Sequence, residues 1–130
     1  MSKIKLYILD DHQMLIDGLK ALLKNEKDIE LVGEHTNAQH AIKQISITQP
    51  DIILSDINMP EMNGIEFTKK IKEQFPSIKI IALSMFGEKS TISEMLDAGA
   101  SGYILKNTGK TELLNAIEKV AAGGMFFSDE

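Results

Sequence analysis

Three short runs of this chain are almost entirely apolar: Ile4 to Leu9, Ile52 to Leu54 inside Asp51 to Ser55, and Ile78 to Leu83. Runs of this length suit strands, and a strand that is apolar on both faces needs cover on both faces. The segments between them supply that cover. Leu15, Leu19, Leu22 and Leu23 recur at helical spacing after the first run. Asn37 is placed to cap a second helix carrying Ala38, Ala41, Ile42 and Ile45, and Pro50 closes the turn that follows. A third helix, entered through a loop with Pro60 and Gly64, carries Phe67, Ile71 and Phe75 and stops at Pro76. A fourth carries Ile92, Met95 and Leu96 and stops at Gly99. Thr108 is placed to cap a fifth, with Leu113, Leu114, Ile117, Val120 and Ala121 on its apolar side and Gly123-Gly124 at its end.

Two weaker strands complete the pattern. Ile29 to Glu34 alternates apolar and charged residues, as a half-buried edge strand does, and Tyr103-Ile104-Leu105 forms a short strand ending at Lys106. The order is then βα repeated five times, with right-handed crossovers between parallel strands. The expected fold class is α/β: an open, doubly wound parallel sheet, (βα)5. A chain of 130 residues suits one domain. Met125 to Glu130 carry no helical or strand register; leading from the Gly-Gly stop into three apolar residues, they read as a tail, the start of a linker or a docking surface.

Composition narrows the chemistry. There are no cysteines, which removes disulfides, thiolate metal sites and cysteine nucleophiles. The net charge is −5 and, with no Arg in the chain, every positive charge at pH 7 is on Lys, so the chain is poorly suited to bind nucleic acid by itself. No apolar run approaches the length of a membrane span, and the N-terminus enters a strand at once, without a signal peptide. A cytoplasmic location is expected, with no membrane partner.

Four of the five expected strands end in residues capable of chemistry: Asp10-Asp11, Asp56, Ser84 and Lys106. Parallel strands deliver their C-terminal ends to one edge of the sheet, so these side chains converge. Two carboxylates about 4 Å apart repel by roughly 4 kcal/mol at an effective dielectric near 20. Three of them call for a cation, and one Lys is too little. Hard oxygen donors favour Mg2+ or a similar ion such as Mn2+. A carboxylate beside such an ion and a Lys is suited to attack a phosphoryl group and form an acyl phosphate. The ion and Lys would neutralise the transferring oxygens, and Ser84 would donate a hydrogen bond to one of them. Taken singly, each residue has an ordinary explanation. Asp10 or Asp11 suits a helix cap, Asp56 a turn, Ser84 a cap, Lys106 a solvated charge and Tyr103 a half-buried aromatic. His12 reads as a polar residue of the first turn and is assigned no role. Joint placement at four strand ends outweighs four separate coincidences. No G-x-G-x-x-G follows the first strand and no Walker-type loop is present, which disfavours a dinucleotide or P-loop enzyme.

With those residues in place, the chain resembles a two-component response regulator receiver domain over roughly residues 3 to 122. The resemblance is carried by Asp10-Asp11, Asp56-x-x-Met59-Pro60-x-Met62-x-Gly64, Ser84, Asp97-Ala98-Gly99-Ala100 and Gly102-Tyr103-x-x-Lys106. The Asp10-Asp11-His12 opening and the Tyr103-to-Asn107 ending are most similar to the NarL/FixJ (LuxR-type) subfamily. The resemblance implies a flavodoxin-like sheet of order 2-1-3-4-5 and a phosphoryl group taken by Asp56 from a sensor histidine kinase. It implies Mg2+ held by Asp11, Asp56 and the Asn58 main-chain carbonyl, with Asp10 acting through a metal-bound water. Lys106 would pair with the phosphoryl oxygens, Ser84 would move to hydrogen-bond them, and Tyr103 would swing inward behind it. Many receivers carry Lys-Pro with a cis bond where this chain has Lys106-Asn107, and a cis bond without Pro costs about 3–4 kcal/mol; a trans bond is expected. Phe86, two residues after Ser84, is expected to restrict water near the phosphoryl group.

The resemblance further implies residues 1–124 as the receiver and 125–130 as a tail or the start of a linker to an effector domain absent from the chain. It implies a switched protein surface on the fourth helix, fifth strand and fifth helix, a homodimer on phosphorylation, and DNA contact only through that effector, in transcription regulation. Beyond self-catalysed phosphoryl transfer and slow autodephosphorylation, no enzyme activity is expected. A stand-alone receiver is the nearer alternative. A Mg2+-dependent phosphohydrolase is the more distant one, and it would need a second carboxylate where Asn58 stands.

Overall fold

Residues 3–59, 62–85 and 89–128 are described by the computed structural model. Their elements run β1 (Ile4–Leu9), α1 (Gln13–Leu23), β2 (Ile29–His35), α2 (Ala38–Thr48), β3 (Ile52–Asp56), α3 (Gly64–Gln74), β4 (Lys79–Ser84), α4 (Lys89–Ala98), β5 (Gly102–Leu105), α5 (Lys110–Ala121) and β6 (Phe126–Phe127). All strand pairs are parallel, in the order β2-β1-β3-β4-β5-β6. The first five strands therefore stand in the expected flavodoxin-like order.

Successive strand residues face opposite sides of the sheet, and the apolar runs fill both. Tyr7, Leu9, Ile53, Ile80 and Ala82 join one core with Ala41 and Ile45 of α2, Phe67 and Ile71 of α3, and Ile92 and Met95 of α4. Leu6, Ile8, Ile52, Leu54, Ile81 and Leu83 join the other with Ile16, Leu19 and Leu23 of α1 and Leu113, Ala116, Ile117 and Val120 of α5. The buried stripe of α1 thus runs through Ile16, and Leu15 and Leu22 pack at its half-buried margin.

Helix ends follow local chemistry. The Asn37 carboxamide accepts from the His40 N–H at 3.0 Å, as expected for a cap. Asn63 caps α3 in the same way, accepting from Glu66 N–H at 2.9 Å. Gly99, at φ +116, supplies the left-handed residue after α4. Thr108 does not cap α5: its hydroxyl donates to the Glu112 carboxylate at 3.0 Å, and Gly109 takes the cap position. Pro60 lies outside the described residues.

Two glycines permit close approaches. A Cβ on Gly64 would lie 2.2 Å from the Asp56 carbonyl oxygen, so α3 begins directly against the end of β3. A Cβ on Gly102 would lie 2.1 Å from the Phe126 carbonyl oxygen. The bare edge at Gly102 admits β6, which the sequence pattern does not announce because two residues are too short to display a period.

Phe67 is fully buried where α3 meets the sheet. Phe67→Ala is expected to cost roughly 3–5 kcal/mol. It should lower the urea midpoint without changing the slope of the transition. Met14→Ala, at a side chain 87% exposed, should leave the unfolding free energy within about 0.5 kcal/mol of the parent.

Candidate functional site

The ends of β1, β3, β4 and β5 bring the expected residues to one edge. Asp10 follows β1, Asp56 closes β3, Ser84 closes β4 and Lys106 follows β5. Asp10 and Asp56 are buried, at 0% and 1% exposed, and Ser84 is buried beside them in the sheet. The Lys106 main-chain N–H donates to the Ser84 carbonyl at 2.8 Å, tying the end of β5 to that of β4. Its ammonium reaches across the edge, 3.0 Å from Asp10 Oδ2 and 3.0 Å from Asp56 Oδ1.

Backbone donors fix the carboxylates. Asp56 Oδ1 accepts from Asn58 N–H at 3.2 Å, and Asp10 Oδ1 accepts from His12 N–H at 2.8 Å. His12 belongs to the cluster although the sequence reading gives it no role. Its Nδ1 lies 3.0 Å from Asp11 Oδ1 and 3.3 Å from Asp10 Oδ1. The only signal for it in the sequence is adjacency to the Asp pair. One ligand atom each from Asp10, Asp11, His12 and Asp56 all lie within 4.8 Å of one another.

Asp10 Oδ2, Asp11 Oδ1 and Asp56 Oδ2 are buried and accept no hydrogen bond. The Lys106 ammonium stands 3.0 Å from the first and the His12 ring nitrogen 3.0 Å from the second. Three carboxylates facing one ammonium leave an excess of negative charge in a desolvated place, which costs several kcal/mol unless a cation enters. Hard oxygen donors with unfilled lone pairs fit a divalent cation of the Mg2+ class.

The proton affinities follow the same charge balance. The Asp56 carboxyl is pushed up to about 6, first by burial, then by the Asp11 carboxyl and the Asp10 charge, against the opposing pull of Lys106. Asp56 Oδ2 has no donor while both carboxylates are ionised, and a proton shared with Asp11 would supply one. Burial works to lower the Lys106 ammonium, but Asp10 and Asp56 outweigh it and hold it above its ordinary value.

Tyr103, on β5, is buried, and its hydroxyl donates to the Ser128 carbonyl at 2.8 Å. Ser128 and Glu112 form contacts that sequence periodicity cannot reveal, since they join residues far apart in the chain. No cis peptide bond occurs among the described residues, as expected for Lys106-Asn107. Phe86 lies outside the described residues. Among those described, no helix is long and apolar enough to cross a membrane.

With this edge in view, the comparisons with known proteins are direct. The family model described as the response regulator receiver domain matches residues 6–118. The chain belongs to that family. It is 37% identical over 125 residues to the transcriptional regulatory protein DegU of Brevibacillus brevis, covering 96% of this chain and 53% of that one. The chain thus spans about half the length of that relative. Among solved structures, the isolated receiver domain of RcsB from Salmonella enterica serovar Typhimurium, in the presence of the phosphomimetic BeF3–, superposes with a TM-score of 0.89 at 27% identity, covering 98% of this chain and 95% of that one. A LuxR-family two-component response regulator from Aurantimonas sp. superposes with a TM-score of 0.90 at 29% identity, covering 98% and 90%.

The Asp56 shift fixes the sign of a pH dependence. Its folded value, about 6, lies above its ordinary 3.8, so the folded protein holds this proton longer than the unfolded chain does. Stability from this group is full below 3.8 and is lost as pH rises through about 6, with an upper bound of roughly 3 kcal/mol. Urea unfolding of metal-free protein should show this decline between pH 4 and pH 7. Asp56→Asn should flatten it, and an equal slope in the variant would remove Asp56 as its source.

Proposed function

We propose that this chain is a phosphoacceptor switch in which Asp56 takes a phosphoryl group from the phosphohistidine of a sensor kinase. The observation that carries the proposal is the buried Asp10–Asp56–Lys106 arrangement, whose unsatisfied carboxylate oxygens call for a cation. The Asp11 and Asp56 side chains and the Asn58 main-chain carbonyl would hold Mg2+ (or Mn2+), with Asp10 behind them. When bound, the ion supplies charge neutralisation for the transferring oxygens.

The chain's own residues do the rest. Asp56 is fixed at the end of a fully buried strand and presents a carboxylate oxygen to phosphorus. The new O–P bond forms as the P–N bond to the donor imidazole breaks, and the bonding pair stays on that nitrogen. Lys106 lies against Asp56, where it can pair with the phosphoryl oxygens. A groove lined by His12, Met14, Leu15, Met85, Lys106 and Asn107 opens beside the site, with Met14 and Met85 exposed, and gives a donor protein an apolar approach. Ser84 then follows the phosphoryl group and Tyr103 follows Ser84. The surface of α4, β5 and α5 changes and a second copy binds. DNA is reached only through an effector outside this chain, the cell compartment is the cytoplasm, and no further enzyme activity is assigned.

Incubation with acetyl phosphate and Mg2+ should add one phosphoryl mass, which chelation and Asp56→Asn each abolish. Lys106→Ala should slow adduct formation by roughly 10²-fold, the scale for loss of one charge-stabilising donor. An adduct that persists in Asp56→Asn contradicts the assignment.

A further inference from the structure

The βα repeat does not require β6, yet β6 is fastened to the residue that would carry the switch. Phe126 and Phe127 pair with Gly102 and Tyr103. Beyond them Ser128 is buried and every polar group it has is engaged. Its N–H donates to the Tyr103 carbonyl at 3.1 Å, and its carbonyl accepts the Tyr103 hydroxyl at 2.8 Å. Its hydroxyl donates to the Glu112 carboxylate at 2.6 Å and accepts from the Leu105 N–H at 3.3 Å. Thr108 holds the same Glu112 oxygen at 3.0 Å. The Phe127 ring tilts against that of Tyr103 with centroids 6.2 Å apart.

This seat is built for release. Met125 and Phe127 are 48% and 44% exposed, and Phe126 packs half-buried at the margin of the core, so one aromatic ring and the hydrogen bonds of Ser128 hold the segment. A two-residue strand at a sheet edge, preceded by Gly123-Gly124, opens locally at far lower cost than the core. The topology then sets a direction. β5 lies between β6 and β4, and β4 ends in Ser84. The Tyr103 hydroxyl is engaged on the β6 side, so moving the ring toward β4 gives up its bond to Ser128.

We propose that Ser128 is a positioning residue for Tyr103 and that residues 126–128 are a latch, seated when Asp56 is unmodified and released when it is phosphorylated. The latch deepens the phosphoacceptor assignment above and rests on it. Phosphorylation draws Tyr103 toward Ser84, the bond to Ser128 is lost, and the segment after α5, residues 126–128, is unseated from β5. Linkage makes the coupling reciprocal: whatever unseats β6 raises the affinity of the Asp56 site for a phosphoryl mimic by the same factor.

The 130-residue chain has two tyrosines and no tryptophan. Labelled with 3-fluorotyrosine it gives two 19F resonances, assigned with Tyr7→Phe. The comparison takes the full chain, Ser128→Pro, a chain ending at Gly124, and Ser128→Thr, which keeps the N–H, carbonyl and hydroxyl. In Ser128→Pro and the shortened chain the Tyr103 resonance should move while that of Tyr7 stays, which reports an intact fold. BeF3– with Mg2+ should move the full-chain Tyr103 resonance in the same direction. Its midpoint concentration should fall about fivefold or more in the two unlatched proteins, and Ser128→Thr should behave as the full chain. A Tyr103 resonance unchanged in both unlatched proteins overturns the latch. BeF3– binding to all four with one shared midpoint also overturns it and leaves the phosphoacceptor assignment standing. BeF3– binding to none of them overturns both.

Discussion

Lys106 stands between two buried carboxylates at hydrogen-bonding distance from each, and a third carboxylate, Asp11, closes the cluster. One ammonium cannot balance three clustered carboxylates, two of them buried, and the deficit is visible as carboxylate oxygens without donors and as the raised proton affinity of Asp56. Such a cluster lowers the stability of the empty fold. It persists because the surrounding structure leaves the side chains nowhere else to go. Asp10 and Asp56 end the two adjacent central strands, β1 and β3, whose apolar residues are covered on both faces. The free energy of the two cores holds charge in a place that charge alone would avoid.

The same economy of space appears around the loops. Gly64 lets α3 begin in van der Waals contact with the Asp56 carbonyl, and the Gly64 N–H closes onto Ile57 at 2.8 Å. A side chain there would push the end of β3, and with it the Asp56 carboxylate. Lys106 is placed by a main-chain bond to the Ser84 carbonyl, which ties the end of β5 to the end of β4. On the β4–β5 side of the site, Tyr103 leads to the C-terminal strand.

Much of this was legible in the sequence because it rests on periodicity and on strand ends. The runs at Ile4, Ile52 and Ile78 fix the buried strands, the helical stripes fix which elements cover them, and parallel pairing carries Asp10, Asp56, Ser84 and Lys106 to one edge. What periodicity cannot carry was not legible. β6 is two residues long and exists because Gly102 leaves room for a carbonyl. Thr108 has the composition of a cap, but Glu112 one turn later takes its hydroxyl and Ser128 joins the same oxygen. His12 reads as an ordinary helix-entry residue until the fold sets its ring against Asp10 and Asp11. The Ser128 contacts join residues whose spacing in the chain says nothing about their meeting, while Thr108 and His12 each had an ordinary local role open to them.

The central claim is that the charge deficit at this edge makes Asp56 the phosphoacceptor, and it is tested most directly by locating the bond. Protein treated with acetyl phosphate and Mg2+ is reduced with borohydride, which converts an aspartyl phosphate to homoserine, and the peptides are sequenced by mass spectrometry. Homoserine at position 56, and at no other aspartate, is the predicted result. Homoserine at Asp10 or Asp11, or a stable phosphoryl group on a serine or threonine, would contradict it.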